Sequence, residues 1–150
     1  MNRRQLLPAL ASIVMPLRAA RAQRRPRIGF LNLVAPNPNH PLGLAMAEGL
    51  REHGLVDGQT ASFESRWASG RVDALPALAA ELAALPVDVI VTGNNVVTLA
   101  AKAAAPTIPI VMVVGVDPVR NGLIDSFARP GGNITGLTIE PGQQVHGKML

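Results

Sequence analysis

The chain has 150 residues, enough for one domain and too few for two of ordinary size. Hydrophobic residues make up 48% of it, charged residues 16% and aromatic residues 3%, which excludes a disordered charged tail and a stacking platform for single-stranded nucleic acid. The sequence contains no cysteine, which excludes disulfides, thiolate metal sites, iron–sulfur clusters and thiol nucleophiles. The formal net charge of +4 needs an explanation of its own, because a basic chain can also indicate nucleic-acid binding.

The first 22 residues have the three parts of an export signal. Arg3 and Arg4 form a positive start, residues 6–17 form an apolar stretch shorter than the ~20 residues that span a bilayer, and an Ala-Arg-Ala sequence ends at Ala22. We expect cleavage after Ala22 and a periplasmic product; an uncleaved anchor or a disordered basic N-terminus is the alternative. The paired arginines also fit the twin-arginine pattern, so that route and the Sec route both stay open.

Removal of this segment would also explain the basic charge of the whole chain. The segment contains four arginines, so its loss takes the 14 basic residues to 10, equal to the 10 acidic residues. The mature chain is then neutral, and no nucleic-acid partner is expected.

The rest of the chain alternates between short apolar runs and stretches with helical spacing of apolar residues. Strands are predicted at residues 27–34, 60–67, 87–92, 108–115 and 133–139. Helices are predicted at residues 42–53, 72–85, 95–105 and 118–128, and a further helix begins at 143–150. Gly54 is predicted to end the first helix, and Val119, Leu123 and Phe127 are predicted to face inward from the fourth.

Strands that alternate with helices predict an α/β fold, an open parallel sheet of about five strands with helices on both faces. In such sheets ligands bind at the loops that leave the carboxyl ends of the strands. Four loops qualify here: residues 35–41, 69–71, 93–95 and 116–121.

Several separated motifs then point to one family. They are RWA at 66–68, LPxLAxEL at 75–82, AAKA at 100–103 before TIPIV at 107–111, DPV at 117–119 and RPGGNxTG at 129–136. With these motifs the chain resembles the ABC-transporter substrate-binding family of the tryptophan/tyrosine-binding type. The resemblance implies a lobe of the type I periplasmic-binding-protein fold, with flavodoxin-like strand order. It also implies a non-catalytic receptor that takes a small polar solute, an amino acid or a related carboxylate, to an ABC permease in the inner membrane.

Members of that family have two α/β lobes, whereas residues 23–150 correspond to the N-terminal lobe only. The expectation is therefore a fragment or a natural truncation, and a non-functional piece of such a receptor is one alternative. A flavodoxin- or Rossmann-like enzyme is another, although residues 35–39 read Ala-Pro-Asn-Pro-Asn where a dinucleotide fold would carry Gly-x-Gly-x-x-Gly.

The loop between the third strand and third helix is the first candidate binding site. It contains Thr92, Gly93, Asn94 and Asn95. Its amides and the helix dipole could hold a carboxylate, with a hydroxyl from Thr92 or an amide from Asn94 added. The resemblance implies the same, because type I binding proteins commonly hold an α-carboxylate there. The alternative is that Asn94 only caps the helix.

Two other loops supply the remaining candidates. Val116 and Asp117 follow the fourth strand, and Asp117 could accept from a ligand ammonium group or cap a helix that begins at Pro118. Asn37 and Asn39 follow the first strand and could bind a ligand or simply form a turn.

No catalytic or cofactor chemistry is expected from the remaining motifs. The three histidines, His40, His53 and His146, have no metal-ligand spacing, and no serine lies in a Gly-x-Ser-x-Gly elbow. Trp67 could stack on an aromatic ligand or pack at a strand edge, and Arg66 is expected to pair with an acid.

Overall fold

A computed structural model describes residues 24–139, which contain a parallel sheet and its connecting helices. The five strands are β1 (Arg27–Asn32), β2 (Ser62–Trp67), β3 (Val89–Thr92), β4 (Ile110–Gly115) and β5 (Ile134–Thr138). The three α-helices are α1 (Pro41–Glu52), α2 (Leu75–Ala84) and α3 (Asn95–Ala104), and one 3₁₀ turn (Val72–Ala74) leads into α2. The predicted export signal and the predicted helix at 143–150 lie outside the described residues.

The strand order is β2-β1-β3-β4-β5, and every neighbouring pair is parallel. This confirms the predicted α/β fold and its flavodoxin-like order. The chain steps outward from β1 to β2 and then back across β1 to β3, so right-handed crossovers place α1 on one face of the sheet and α2 and α3 on the other. The carboxyl ends of β1, β3 and β4 therefore lie side by side at one edge.

The core lies between the sheet and the pair α2 and α3. Its most buried side chains come from both the strands and the helices: Leu31, Leu75, Leu82, Ile90, Val97 and Ile110. Burial of each such aliphatic side chain contributes about 1.5–3 kcal/mol relative to exposure. Gly29 belongs to this face of β1, and a Cβ there would lie 3.4 Å from Leu82 Cδ2, so α2 packs directly over this residue.

The opposite face of the sheet is less covered. Phe30 of β1 and Phe63 of β2 pack edge to face on it, with ring centroids 5.3 Å apart. Helix α1 has no buried residue, and its Leu42 and Leu44 are exposed. Gly54 ends α1 with a φ of 77°, and its N–H donates to the Arg51 carbonyl, as the sequence predicted.

The prediction of a fourth helix at residues 118–128 is wrong. That segment is a series of turns. Gly122 has a φ of 67°, in the left-handed region, which ends any right-handed helical turn begun at Pro118. The side-chain amide of Asn121 donates to the Val116 and Asp117 carbonyls, so a local side-chain bond replaces a helical one.

Burial in this segment also differs from the prediction. Leu123 faces inward and is buried, but Val119 is 39% exposed and Phe127 is 59% exposed. The segment instead folds back on itself at 125–130, where the N–H of Asp125 donates to the Pro130 carbonyl. Two buried side chains, those of Pro118 and Leu123, anchor the segment in place of a helical face.

The edges of the other elements shift by one to three residues. Strand β1 ends at Asn32 and not at residue 34, because the carbonyls of Asn32 and Leu33 accept from Ala68 and Gly70 in the loop after β2. Within residues 24–139, no helix is long and apolar enough to cross a membrane.

Candidate ligand-binding site

A cavity of about 290 Å³ lies at the carboxyl edge of the sheet, where the loops after β1, β3 and β4 meet. Its wall contains four apolar and two amide side chains: Leu33, Asn94, Asn95, Val96, Val114 and Val116. Three of these residues belong to the β3–α3 loop and the first turn of α3, so the helix N-terminus forms one side of the cavity.

Asn94 caps α3. Its backbone is extended, with φ −162° and ψ 174°, and its side-chain oxygen accepts from the Val97 N–H at 3.1 Å. The other amides of the first turn have no acceptor within the helix, and that turn has no acidic residue. The positive end of the helix dipole therefore faces the cavity without a protein carboxylate from α3 beside it.

Thr92 lies beneath this loop. Its side chain is buried, at 1% exposure, and its hydroxyl is 2.7 Å from that of Thr98. Thr98 in turn donates to the Asn94 carbonyl at 2.7 Å, so Thr92 is the donor in the threonine pair. The Thr92 hydroxyl, predicted from the sequence as a possible ligand contact, therefore bonds within the protein and supports the loop.

Gly93 lies next to a residue that the sequence analysis did not single out. The side-chain oxygen of Asn32 is 3.8 Å from the position that a Cβ on Gly93 would take. Asn32 is the last residue of β1 and is half-buried between Leu31 and Leu33. A polar residue at the carboxyl end of an otherwise buried strand was the signal that could have identified it.

The side chain of Asn95 forms two hydrogen bonds with the backbone of Val116. The Asn95 Nδ2 donates to the Val116 carbonyl at 2.6 Å, and the Asn95 Oδ1 accepts from the Val116 N–H at 3.0 Å. The polar groups of both candidates are thus engaged within the protein, while the exposed Val116 side chain contributes to the cavity wall.

Asp117 is at the surface in a left-handed conformation, with φ 44°. The helix that it was expected to cap is absent. Its Oδ1 is 3.4 Å from the Arg120 N–H, and its Oδ2 is 3.9 Å from the Arg120 guanidinium, both long contacts. The carboxylate remains 46% exposed beside the loop after β4.

Asn37 and Asn39 are exposed and form a turn. The Asn37 side-chain oxygen accepts from the Asn39 N–H at 3.0 Å, and its carbonyl accepts from His40. Neither residue lines the cavity. The structure therefore brings together Asn94, Asn95 and Val116, and it leaves these two asparagines outside.

Around the site, Arg66 of β2 pairs with Glu81 of α2 at 2.7 Å, as the sequence predicted. Trp67 is at the end of β2, opposite Asn32, and is 37% exposed. The described part of the chain, residues 24–139, holds no cluster of three acidic or histidine side chains that could bind a metal ion.

Comparison with known proteins identifies the family. A family model described as ABC transporter substrate binding protein matches residues 42–145, well over half of the chain. The chain belongs to this family. The substrate-binding family agrees with the resemblance in the sequence and favours a solute-binding protein over the flavodoxin- or Rossmann-like enzyme considered as an alternative.

Individual relatives of this chain are distant in sequence and similar in fold. A tyrosine-binding protein from Clostridioides difficile (strain R20291) is 26% identical over 117 residues, 78% of this chain and 34% of the relative. The ligand-free, open structure of a substrate binding protein with adhesive properties from Clostridium difficile has 26% identity and a TM-score of 0.67, over 74% of this chain and 38% of that one. A conserved domain protein from Vibrio cholerae has 27% identity and a TM-score of 0.68, over 77% and 39%. The chain thus spans just over a third of the length of these relatives.

Proposed function

We propose that the chain forms the N-terminal lobe of an importer receptor and binds a small carboxylate, an amino acid or a related compound, at the carboxyl ends of its strands. The observation that carries this proposal is the cavity at the N-terminus of α3, whose wall combines two amide side chains with four apolar ones. A relative named as a tyrosine-binding protein supports an amino acid as the ligand class.

The carboxylate and the side chain of a bound amino acid would contact different parts of the cavity. The ligand carboxylate would lie against the amides of Gly93 to Val96, where the helix dipole is positive and α3 brings no competing acid. The ligand side chain would lie against Leu33, Val96 and Val116, whose exposed apolar surface gains from being covered. Asp117 does not line the cavity but follows Val116 in the chain, and its partly exposed carboxylate could accept from a ligand ammonium group.

The second half of the binding site belongs to a second lobe in this proposal. One open lobe covers a ligand on one side only, whereas small-ligand sites usually bury 70–90% or more of the ligand. Closure of two lobes about a hinge would supply the rest, and the closed form would be presented to a permease in the inner membrane. The receptor performs no chemistry.

Export to the periplasm completes the proposal. Arg24 and Arg25, the first two described residues, are held at the amino ends of the strands, where Arg24 donates to the Pro86 carbonyl and Arg25 to that of Gly58. This edge is opposite the cavity. The N-terminus created by the predicted cleavage after Ala22 would therefore lie next to Arg24, away from the cavity.

Thermal unfolding of the receptor with both lobes, in the presence of a panel of L-amino acids, tests the binding site. A ligand at a hundred times its Kd stabilises a folded protein by about 2.7 kcal/mol. Asn94→Asp is the informative variant, because aspartate caps a helix as well as asparagine does but would repel a bound carboxylate. We expect it to change the free energy of unfolding without ligand by less than about 0.5 kcal/mol and to abolish the ligand shift.

The matched control is Gln59→Glu, which adds the same charge at an exposed turn on the opposite edge of the sheet. It should leave the ligand shift unchanged. A ligand shift that survives in Asn94→Asp would contradict binding of a carboxylate at α3, and the lack of any shift with the whole panel would contradict the proposed ligand class.

A further inference from the structure

The side chain of Asn95, the first residue of α3, joins two loops of the site. It donates to the Val116 carbonyl and accepts from the Val116 N–H, at 2.6 and 3.0 Å. Because both peptide groups of Val116 are engaged by one planar amide, the two bonds fix its orientation as well as its distance from α3. Val116 follows β4 directly, so the bonds connect the carboxyl end of β4 to the N-terminus of α3.

The loop held in this way is braced from within. The Asn121 Nδ2 donates to the carbonyls of Val116 and Asp117 at 2.9 Å each, and the Asn121 N–H donates to the Asp117 carbonyl at 3.1 Å. These bonds make residues 116–121 a compact unit. Its position relative to α3 depends on a separate connection, which Asn95 supplies at the end nearest the cavity.

A second connection from the same helix lies farther from the cavity. Lys102, two turns along α3, donates to the Gly122 carbonyl at 2.8 Å and contacts that of Leu123 at 3.3 Å. Helix α3 therefore holds the segment after β4 at two points. Only the Asn95 contact lies in the cavity wall.

We infer that Asn95 is a positioning residue: it holds the loop 116–121 against the N-terminus of α3, so that Asn94 and Val116 face one ligand at a fixed separation. This inference rests on the proposed function. Without the connection, ligand binding would have to order the loop, and that lost freedom would reduce the affinity. The side chain of Asn95 is thus assigned to the protein's own architecture, while its backbone amide remains among those that face the ligand carboxylate.

Hydrogen exchange of the full chain without ligand tests the connection itself. In Asn95→Ala, and in Asn95→Ser, whose side chain is too short to bond both groups, the Val116 amide should exchange about five to ten times faster, as expected for a lost hydrogen bond. The control is Lys102→Ala, which removes a side-chain bond from the same helix to the same segment. It should leave exchange at Val116 within about twofold of wild type. Unchanged exchange at Val116 in both Asn95 variants would overturn the inference.

Calorimetric titration with L-tyrosine tests the effect on binding. Asn95→Ala should raise the Kd about tenfold, whereas Lys102→Ala should leave it within about twofold, at a comparable loss of thermal stability. An equal change of Kd in the two variants would assign Asn95 a general structural role and overturn the inference. If the wild-type receptor with both lobes binds no L-tyrosine, that amino acid is excluded as a ligand, and the exchange result alone then decides the role of Asn95.

Discussion

Thr92, Thr98 and Asn94 form one hydrogen-bonded series that joins the end of β3 to the first turn of α3. Thr92 donates to Thr98, Thr98 donates to the Asn94 carbonyl, and the Asn94 side chain accepts from Val97. Thr92 holds the Thr98 hydroxyl, and Thr98 and Asn94 each bond a backbone group, so the loop that faces the cavity is shaped before any ligand arrives. A preformed loop loses less conformational freedom on binding than a mobile one does.

This arrangement predicts that Thr92 contributes to stability and not to ligand contact. Thr92→Val keeps the volume of the buried side chain and removes one hydrogen bond, so we expect a loss of about 1 kcal/mol in the free energy of unfolding. The Kd for a bound amino acid should change by less than about threefold, because the Thr98 bond that shapes Asn94 remains. Chemical denaturation and calorimetric titration measure the two quantities.

Thr98→Val provides the comparison. It removes the bond to the Asn94 carbonyl as well as the bond to Thr92, so the loss of stability should be about 2 kcal/mol and binding should weaken with it. A Thr92→Val variant that binds as poorly as Thr98→Val would restore the sequence-based hypothesis that the Thr92 hydroxyl contacts the ligand.

At the level of the elements, a substitution at Gly122 distinguishes turns from a helix in the segment after β4. The two conformations predict opposite signs for its effect on the free energy of unfolding. Gly122 has a φ of 67°, where an L side chain is strained, so Gly122→Ala should destabilise the protein by about 1 kcal/mol. Were residues 118–128 helical, the same substitution would stabilise it by about 0.8–1.0 kcal/mol, because alanine has the higher helix propensity.

Gly49→Ala is the matched control for this experiment. Gly49 lies inside α1, and a Cβ there would meet nothing within 4 Å. The substitution should therefore stabilise the protein by about 0.5–1 kcal/mol. Opposite signs for the two glycines, measured by denaturant unfolding, would confirm turns at Gly122; equal signs would contradict them.

The sequence predicted the sheet well and the fourth helix badly, for related reasons. Runs such as residues 108–115 are apolar enough to require burial on both faces, and alternation with helices then determines parallel pairing. Val119, Leu123 and Phe127 repeat at helical spacing too, but spacing does not reveal that Gly122 adopts a left-handed conformation. Local side-chain bonds from Asn121 favour a turn over a helix there.

The candidate site was likewise only partly predictable from the sequence. Topology alone identifies the loops at the carboxyl ends of the strands, and those after β3 and β4 do meet at the cavity. It does not tell which side chains turn inward. Asn94 and Asn95 are adjacent asparagines, yet one caps α3 and the other bonds Val116, and only the packing of β4 beside β3 separates these roles.

For the whole molecule, the excess positive charge is concentrated near the N-terminus. The full chain has a net charge of +4, and the residues up to Ala22 contain four arginines. Beyond them, Arg24 contacts Asp88 at 3.6 Å and Arg27 contacts Glu64 at 4.0 Å, so two of the three arginines that follow the predicted cleavage site have acidic partners in the fold. The unbalanced charge therefore lies in the segment expected to be removed.

The mature product is accordingly predicted to begin at Gln23 and to be close to neutral, in contrast to the isoelectric point near 11.0 of the full sequence. Intact-mass measurement of the protein recovered from the periplasm of a bacterial host, together with isoelectric focusing, tests both statements. Replacing Arg3 and Arg4 by lysine keeps the positive charge that Sec export needs but disrupts the twin-arginine pattern. Export that stops in this variant assigns the twin-arginine route, and export that continues assigns Sec. A periplasmic product that still begins at Met1 would contradict cleavage after Ala22, because the four arginines would then belong to the working protein.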